Sequence, residues 1–185
     1  DAIAIGNGAC GSQIFSLAIG SDACSLYSSG IALGVSTFAC GNSAVSLGVS
    51  SSAAGTCAIV IGASSTVYNA DNAIAMGSSA YVCQASTSAI AIGTSSTSSG
   101  NTAISMLGNA YGYNAIAIKG TVGSGVTPAP EAISIGGNNN SCSEAAISIG
   151  SCATINGTNA TDAIAIGRGT CIDGTSASVA LAIGS

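Results

Sequence analysis

One pentapeptide of the form small–apolar–small–apolar–Gly recurs along this chain and limits what it can fold into. It appears as Ala2-Ile3-Ala4-Ile5-Gly6, Ser16-Leu17-Ala18-Ile19-Gly20 and Ile31-Ala32-Leu33-Gly34. Ala44-Val45-Ser46-Leu47-Gly48 and Ala58-Ile59-Val60-Ile61-Gly62 follow, with successive closing glycines 14 residues apart. Later copies end at Gly77, Gly93, Gly108, Gly120, Gly136, Gly150, Gly167 and Gly184, at spacings of 12 to 17, making 13 copies. Period-two alternation is the pattern of a strand, and a closing glycine can take the positive φ of a corner. A repeat of this length holds two short strands and two tight turns, but not a βαβ unit, whose crossover alone needs about a dozen residues. No helical periodicity appears. The chain therefore reads as all-β: a single-domain β-solenoid over residues 1–185, with about 13 rungs stacked about 4.8 Å apart. At that rise the rungs would form a rod on the order of 60 Å long.

Composition narrows the functions. Of 185 residues, 7 are Asp or Glu and 2 are Lys or Arg, giving a net charge of -5, and there is no His. Absence of His removes the commonest general base and metal ligand. Two cationic side chains cannot neutralise a phosphate backbone, so no nucleic-acid partner is expected. Hydrophobic residues make up 48% of the chain, yet they fall in clusters of about five. No run approaches the roughly 20 residues of a membrane-spanning helix. Low charge and high isoleucine content also argue against disorder.

Within the pentapeptide one face is bulky and the other small. The bulky side chains are expected to fill the solenoid interior, with Ile3, Ile5, Leu17, Ile19, Ile90 and Ile92 as core. The Ala/Ser face is then either a seam against another copy of the chain or a solvated face.

The repeats resemble the head domains of trimeric autotransporter adhesins of the YadA type. The resemblance rests on Asn72-Ala73-Ile74-Ala75-Met76-Gly77, Ser88-Ala89-Ile90-Ala91-Ile92-Gly93, Asn114-Ala115-Ile116-Ala117-Ile118 and Asp162-Ala163-Ile164-Ala165-Ile166-Gly167. It covers essentially the whole chain. It implies a left-handed parallel β-roll, a homotrimer, and display on a bacterial surface, outer-membrane-anchored in a full-length adhesin, to bind a host-surface or matrix ligand. Fold likeness carries function only by association.

Residues able to do chemistry are few. The eight cysteines are Cys10, Cys24, Cys40, Cys57, Cys83, Cys142, Cys152 and Cys171. They form no CxxC, and without His no familiar zinc pattern arises. Cys10 and Cys24 share a repeat register, so they stack on adjacent rungs within disulfide reach; otherwise they are small buried hydrophobes. No Cys has a base beside it in sequence. The acids Asp1, Asp22, Asp71, Glu131, Glu144, Asp162 and Asp173 are scattered, with no paired-carboxylate or calcium-loop signature. Lys119 and Arg168 adjoin repeat glycines, as solvated corner residues would. No enzyme activity, cofactor or metal is expected.

The period breaks between Gly120 and Gly136. Residues 121–131 hold both prolines and read as an inserted loop. Tyr111, Tyr113, Pro128 and Pro130 form a candidate ligand-binding patch, since loops on rigid scaffolds carry recognition; a tolerated insertion is the plainer alternative. Asn138-Asn139-Asn140 follows, and Asn139, Asn156 and Asn159 begin N-x-S/T triplets. The leading expectation is an extracellular, non-enzymatic structural and adhesive protein on a cell exterior. The alternative is a head-to-tail filament or a viral or phage fibre on a virion surface. Ice binding ranks third, because the small positions are Ala and Ser, not ranks of Thr.

Overall fold

A computed structural model describes residues 1–124, 128–136, 138–139, 143–156, 160–174 and 177–184, with backbone alone at 138–139. Among the described residues there are 25 short strands and no helix. The chain is all-β, a parallel β-solenoid of about 12 turns. It divides into two compact units, Asp1–Ser96 and Thr97–Ser185.

In the first unit a front sheet is built from three-residue strands at Ile3–Ile5, Leu17–Ile19, Ile31–Leu33, Val45–Leu47, Ile59–Ile61, Ile74–Met76 and Ile90–Ile92. A back sheet uses two-residue strands at Cys10–Gly11, Cys24–Ser25, Phe38–Ala39, Ser52–Ala53, Thr66–Val67 and Tyr81–Val82. The second unit repeats the plan. Its front strands are Ile104–Met106, Ile116–Ile118, Ile133–Ile135, Ile147–Ile149, Ile164–Ile166 and Leu181–Ile183. Its back strands are Thr97–Ser99, Asn109–Tyr111, Thr121–Val122, Asn138–Asn139, Thr154–Ile155 and Cys171–Ile172.

Register follows the repeat. Ile3, Ala4 and Ile5 pair with Leu17, Ala18 and Ile19, which pair in turn with Ile31, Ala32 and Leu33. Each coil thereby satisfies the backbone of its neighbour: Leu17 N–H donates to Gly30 O at 2.9 Å and Gly34 N–H to Ile19 O at 2.9 Å. Strands this short have no stability alone; stacking supplies it.

Residues 20–23 turn the chain from front to back, and residues 26–30 return it. These corners carry left-handed residues, Asp22 (φ 55°) and Ser29 (φ 58°) here, Ser36 (φ 52°) and Ser43 (φ 55°) in the next coil. Short polar side chains tolerate that conformation best. Gly20 closes its front strand at φ 133°, and a Cβ there would run into the carbonyl oxygen of Gly34 in the next coil.

The interior reverses the expected core. Ala18, Ala32, Ala75 and Ala91, at the third pentapeptide position, are fully buried, as are Ala44, Ala58, Ala73 and Ala89 at the first. Ile3 and Ile5 are 54% and 58% exposed and Ile19 is 38% exposed, while Leu17, Ile90 and Ile92 are only half-buried. None of these six belongs to the buried core. Along the front strands the middle residue points in and its two aliphatic neighbours point out. The reason is width. Short corners, four and five residues in the coils at 20–23 and 26–30, hold the two sheets so close that mostly alanine, serine and an occasional valine fill the gap. From the back sheet Ala39, Ala53, Val67 and Val82 complete the filling. The Ala/Ser face is thus neither a seam between copies nor a solvated face; it is the dry centre.

Hydroxyls buried in this narrow core find backbone partners. Ser65 Oγ donates to Gly62 O at 2.8 Å and Ser98 Oγ to Ala103 O at 3.0 Å. Among the described residues, Ser25 Oγ is buried with no partner.

Extra residues fall in the returning corner. Ala53 pairs with Val67 and Ile59 with Ile74, so a connection six positions long in one coil becomes seven in the next. Within residues 121–131, Thr121–Val122 is a back strand paired with Asn109 and Ala110, and Glu131 is a left-handed corner residue (φ 58°). The irregular part of the expected loop is shorter than 121–131, and residues 125–127 of it lie outside the described residues.

Candidate functional site

Turning the small residues inward leaves the aliphatic ones outside. Every outward position of every front strand, in both units, is Ile, Leu, Val or Met. Stacked about 4.8 Å apart, these side chains cover one another's flanks and present their tips to solvent. At this face in the first unit lies an apolar groove of about 450 Å³. The apolar groove is lined by Asp1, Ile3, Phe15, Leu17, Ser29 and Ile31 among others, and the ring of Phe15 stands well exposed. Contiguous apolar surface on this scale marks an interaction site.

The back sheet brings Cys10 and Cys24 together as direct register partners. Both are free thiols here. Ser12 Oγ lies 3.1 Å from Cys10 Sγ. Hydrogen bonds from Ser12 and then Cys24 hold the exposed Cys10 thiol below its ordinary range. Cys24 is pushed up to about 11, first by burial and then by its hydrogen bond and charge interaction with Cys10. Burial also pushes Cys40 up. At pH 8 the Cys24 thiolate is about 100-fold scarcer than that of a thiol with the ordinary value of 9.0, and the thiolate is what alkylates. Iodoacetamide should therefore label Cys10 first in the folded, reduced chain. Cys24 should react about 100-fold more slowly than in urea, as followed by peptide mass spectrometry; equal rates at the two sites would contradict this assignment. Cys142 lies outside the described residues.

Tyr111 and Tyr113 meet the proline segment directly. Ala129 N–H donates to Tyr111 O at 2.7 Å and Glu131 N–H to Tyr113 O at 2.8 Å, so Pro128 and Pro130 sit on the adjacent coil. Tyr113 and Pro128 are exposed; Tyr111 and Pro130 are half-buried. Asn156 is exposed, whereas Asn140 and Asn159 lie outside the described residues. Among the described residues no three His, Cys, Asp or Glu side chains are grouped to hold a metal, and no helix is long and apolar enough to cross a membrane.

The corner cavity, about 290 Å³, went unforeseen in the sequence. Its lining spans four consecutive coils: Tyr27, then Cys40 with Asn42, then Ala54 with Thr56, then Asn69 with Asp71. The signal that could have found it is the first departure from a 14-residue spacing, between Gly62 and Gly77, whose extra residue lies between Val67 and Ile74.

No family model matches the chain, and no curated protein matches it. Among solved structures it is similar to the collagen-binding domain of the Yersinia adhesin YadA, with 18% identity, all of this chain and 80% of that chain covered, and a TM-score of 0.38. Collagen binding and assembly state do not transfer on a likeness of that size. The fold class stands on the strand pairing.

Proposed function

We propose that this chain is a non-enzymatic, extracellular structural and adhesive repeat protein that assembles with copies of itself through its aliphatic face. The supporting observation is the unbroken run of Ile, Leu, Val and Met at the outward positions of all front strands. Each copy carries the same face, so it is its own complement. Covering each half-exposed side chain contributes on the order of 1 kcal/mol. Three copies turned inward around one axis would close these faces and leave the back sheets and corners free for a host-surface or matrix ligand. Tyr111 and Tyr113, with Pro128 and Pro130, are the proposed contact patch. In an oxidising exterior, Cys10 and Cys24 would give up two protons and two electrons to the ambient oxidant and close an S–S bond between adjacent coils.

Light scattering on the chromatographed chain tests the assembly. A discrete trimer of the 17.3 kDa chain supports it; single copies at micromolar concentration, or open-ended polymers, overturn the closed trimer. Retention on collagen-coated plates, lost on replacing Tyr111 and Tyr113 with alanine, would support the contact patch; equal retention on bare plates would remove it.

A further inference from the structure

The corner cavity of the first unit has the chemistry of a saccharide site, and we infer that it binds a neutral pyranoside. It lies within a single copy, on side chains separate from the aliphatic face, and so stands apart from the assembly proposed above. Its floor is a dip in the corner. Gly41 and Gly55 are packed so tightly that a Cβ on either would strike the backbone of the next coil. Ala54 adds only a methyl group between Tyr27 at one end and Asn69 at the other. The last of these coils carries the extra residue, with Asn69 left-handed at φ 47°, and supplies Asn69 and Asp71 to the lining.

The lining groups suit hydroxyls. The ring of Tyr27 is half-exposed, and an aromatic face is attractive to the polarised C–H groups on one side of a sugar ring. Asp71 is fixed in place: its Oδ1 accepts the Thr56 N–H at 2.7 Å. A carboxylate has about four lone-pair sites, so it retains capacity to accept from adjacent hydroxyls. Asn42 and Asn69 each offer both a donor and an acceptor, which is what a hydroxyl needs from its neighbours. No Lys or Arg lines the cavity, so nothing there selects an anion. Asp71 is its one carboxylate, too few hard oxygens of full charge for a dedicated calcium cage. A volume of about 290 Å³ is at the small end of ligand sites and fits a sugar ring better than a folded peptide.

Binding is tested on the whole chain by NMR with methyl glycosides of glucose, galactose, mannose, N-acetylglucosamine and N-acetylgalactosamine. At least one should produce saturable shifts of the Tyr27 ring and the Asn42 and Asn69 amides, with Kd in the millimolar range or tighter. Tyr27→Ala and Asp71→Asn should each weaken binding at least tenfold. Tyr27→Phe, which keeps the stacking face, should stay within about threefold, and Arg168→Ala, at an exposed position in the other unit, should change nothing. Asp71→Asn retains an oxygen for Thr56, so a loss of binding with unchanged circular dichroism is not a loss of fold. No response to any glycoside at tens of millimolar, or shifts with tetramethylammonium or calcium alone, would overturn the inference.

Discussion

Glutamate in place of Leu33 and Ile61 should disperse the assembled chain into single copies without unfolding its coils. Both residues are the fourth of their pentapeptide and point outward from the front sheet. A carboxylate closed into an apolar interface without a partner costs roughly 3–5 kcal/mol. Association should weaken by at least 1,000-fold, and light scattering should report the single-chain mass. The far-ultraviolet spectrum should remain that of the parent, because neither side chain contributes to the core. Replacing Ala32 and Val60, their inward neighbours, with glutamate should have the opposite outcome: loss of fold. If Leu33→Glu and Ile61→Glu unfold the chain while the inward pair does not, the two faces have been assigned the wrong way round.

Gly34→Ala should be a severely damaging single-methyl change in the first unit. Gly34 stands at φ 137°, where side chains are rarely accommodated. The added Cβ would lie 2.8 Å from the carbonyl carbon of Gly48 and 2.9 Å from Thr37 Oγ1, with the Gly48 oxygen nearer still. Backbone cannot swing aside as a side chain can, so adjacent coils must part. Urea unfolding should show a loss of about 4 kcal/mol, in the range reserved for severe lesions. Gly136 holds the same repeat position, yet its φ is 69° and a Cβ would rest 3.6 Å from Gly150 O. Gly136→Ala should therefore cost only about 1 kcal/mol, the ordinary penalty of a left-handed alanine. Equal costs at the two sites would show that coil-to-coil approach is not what the repeat glycine serves.

The stacking was legible in the sequence because it is a matter of spacing. Residues 14 apart, such as Ile3 and Leu17, are register partners. The repeat glycine closes its front strand at Gly20, Gly34, Gly48 and Gly62, though at Gly108 and Gly120 a left-handed Leu107 or Lys119 comes first. Cys10 and Cys24 were placed opposite each other by the same arithmetic. The direction of each face was not legible. Alternation of Ala and Ile says that one face is small and one large, and it is symmetric about which is inside. Ordinary cores favour the large one; here the four-residue turn between Ile19 and Cys24 leaves a narrow gap filled by Ala18 and Ala23, and elsewhere by residues no larger than Val60 at the same front-strand position. The corner cavity escaped for a related reason. The 15-residue step from Gly62 to Gly77 was visible, but only the pairing of Val67 and Ile74 with the previous coil places the extra residue beside Asp71.

Methionine oxidation tests the inside-out arrangement most directly. The chain has two methionines, and both, Met76 and Met106, occupy the outward fourth position, 37% and 40% exposed. In the Leu33→Glu/Ile61→Glu chain, kept as single copies, dilute peroxide should convert both thioethers to sulfoxides nearly as fast as in a short peptide, with the fold unchanged. Both methionines remaining reduced until the chain is unfolded would place them in the interior and contradict the account.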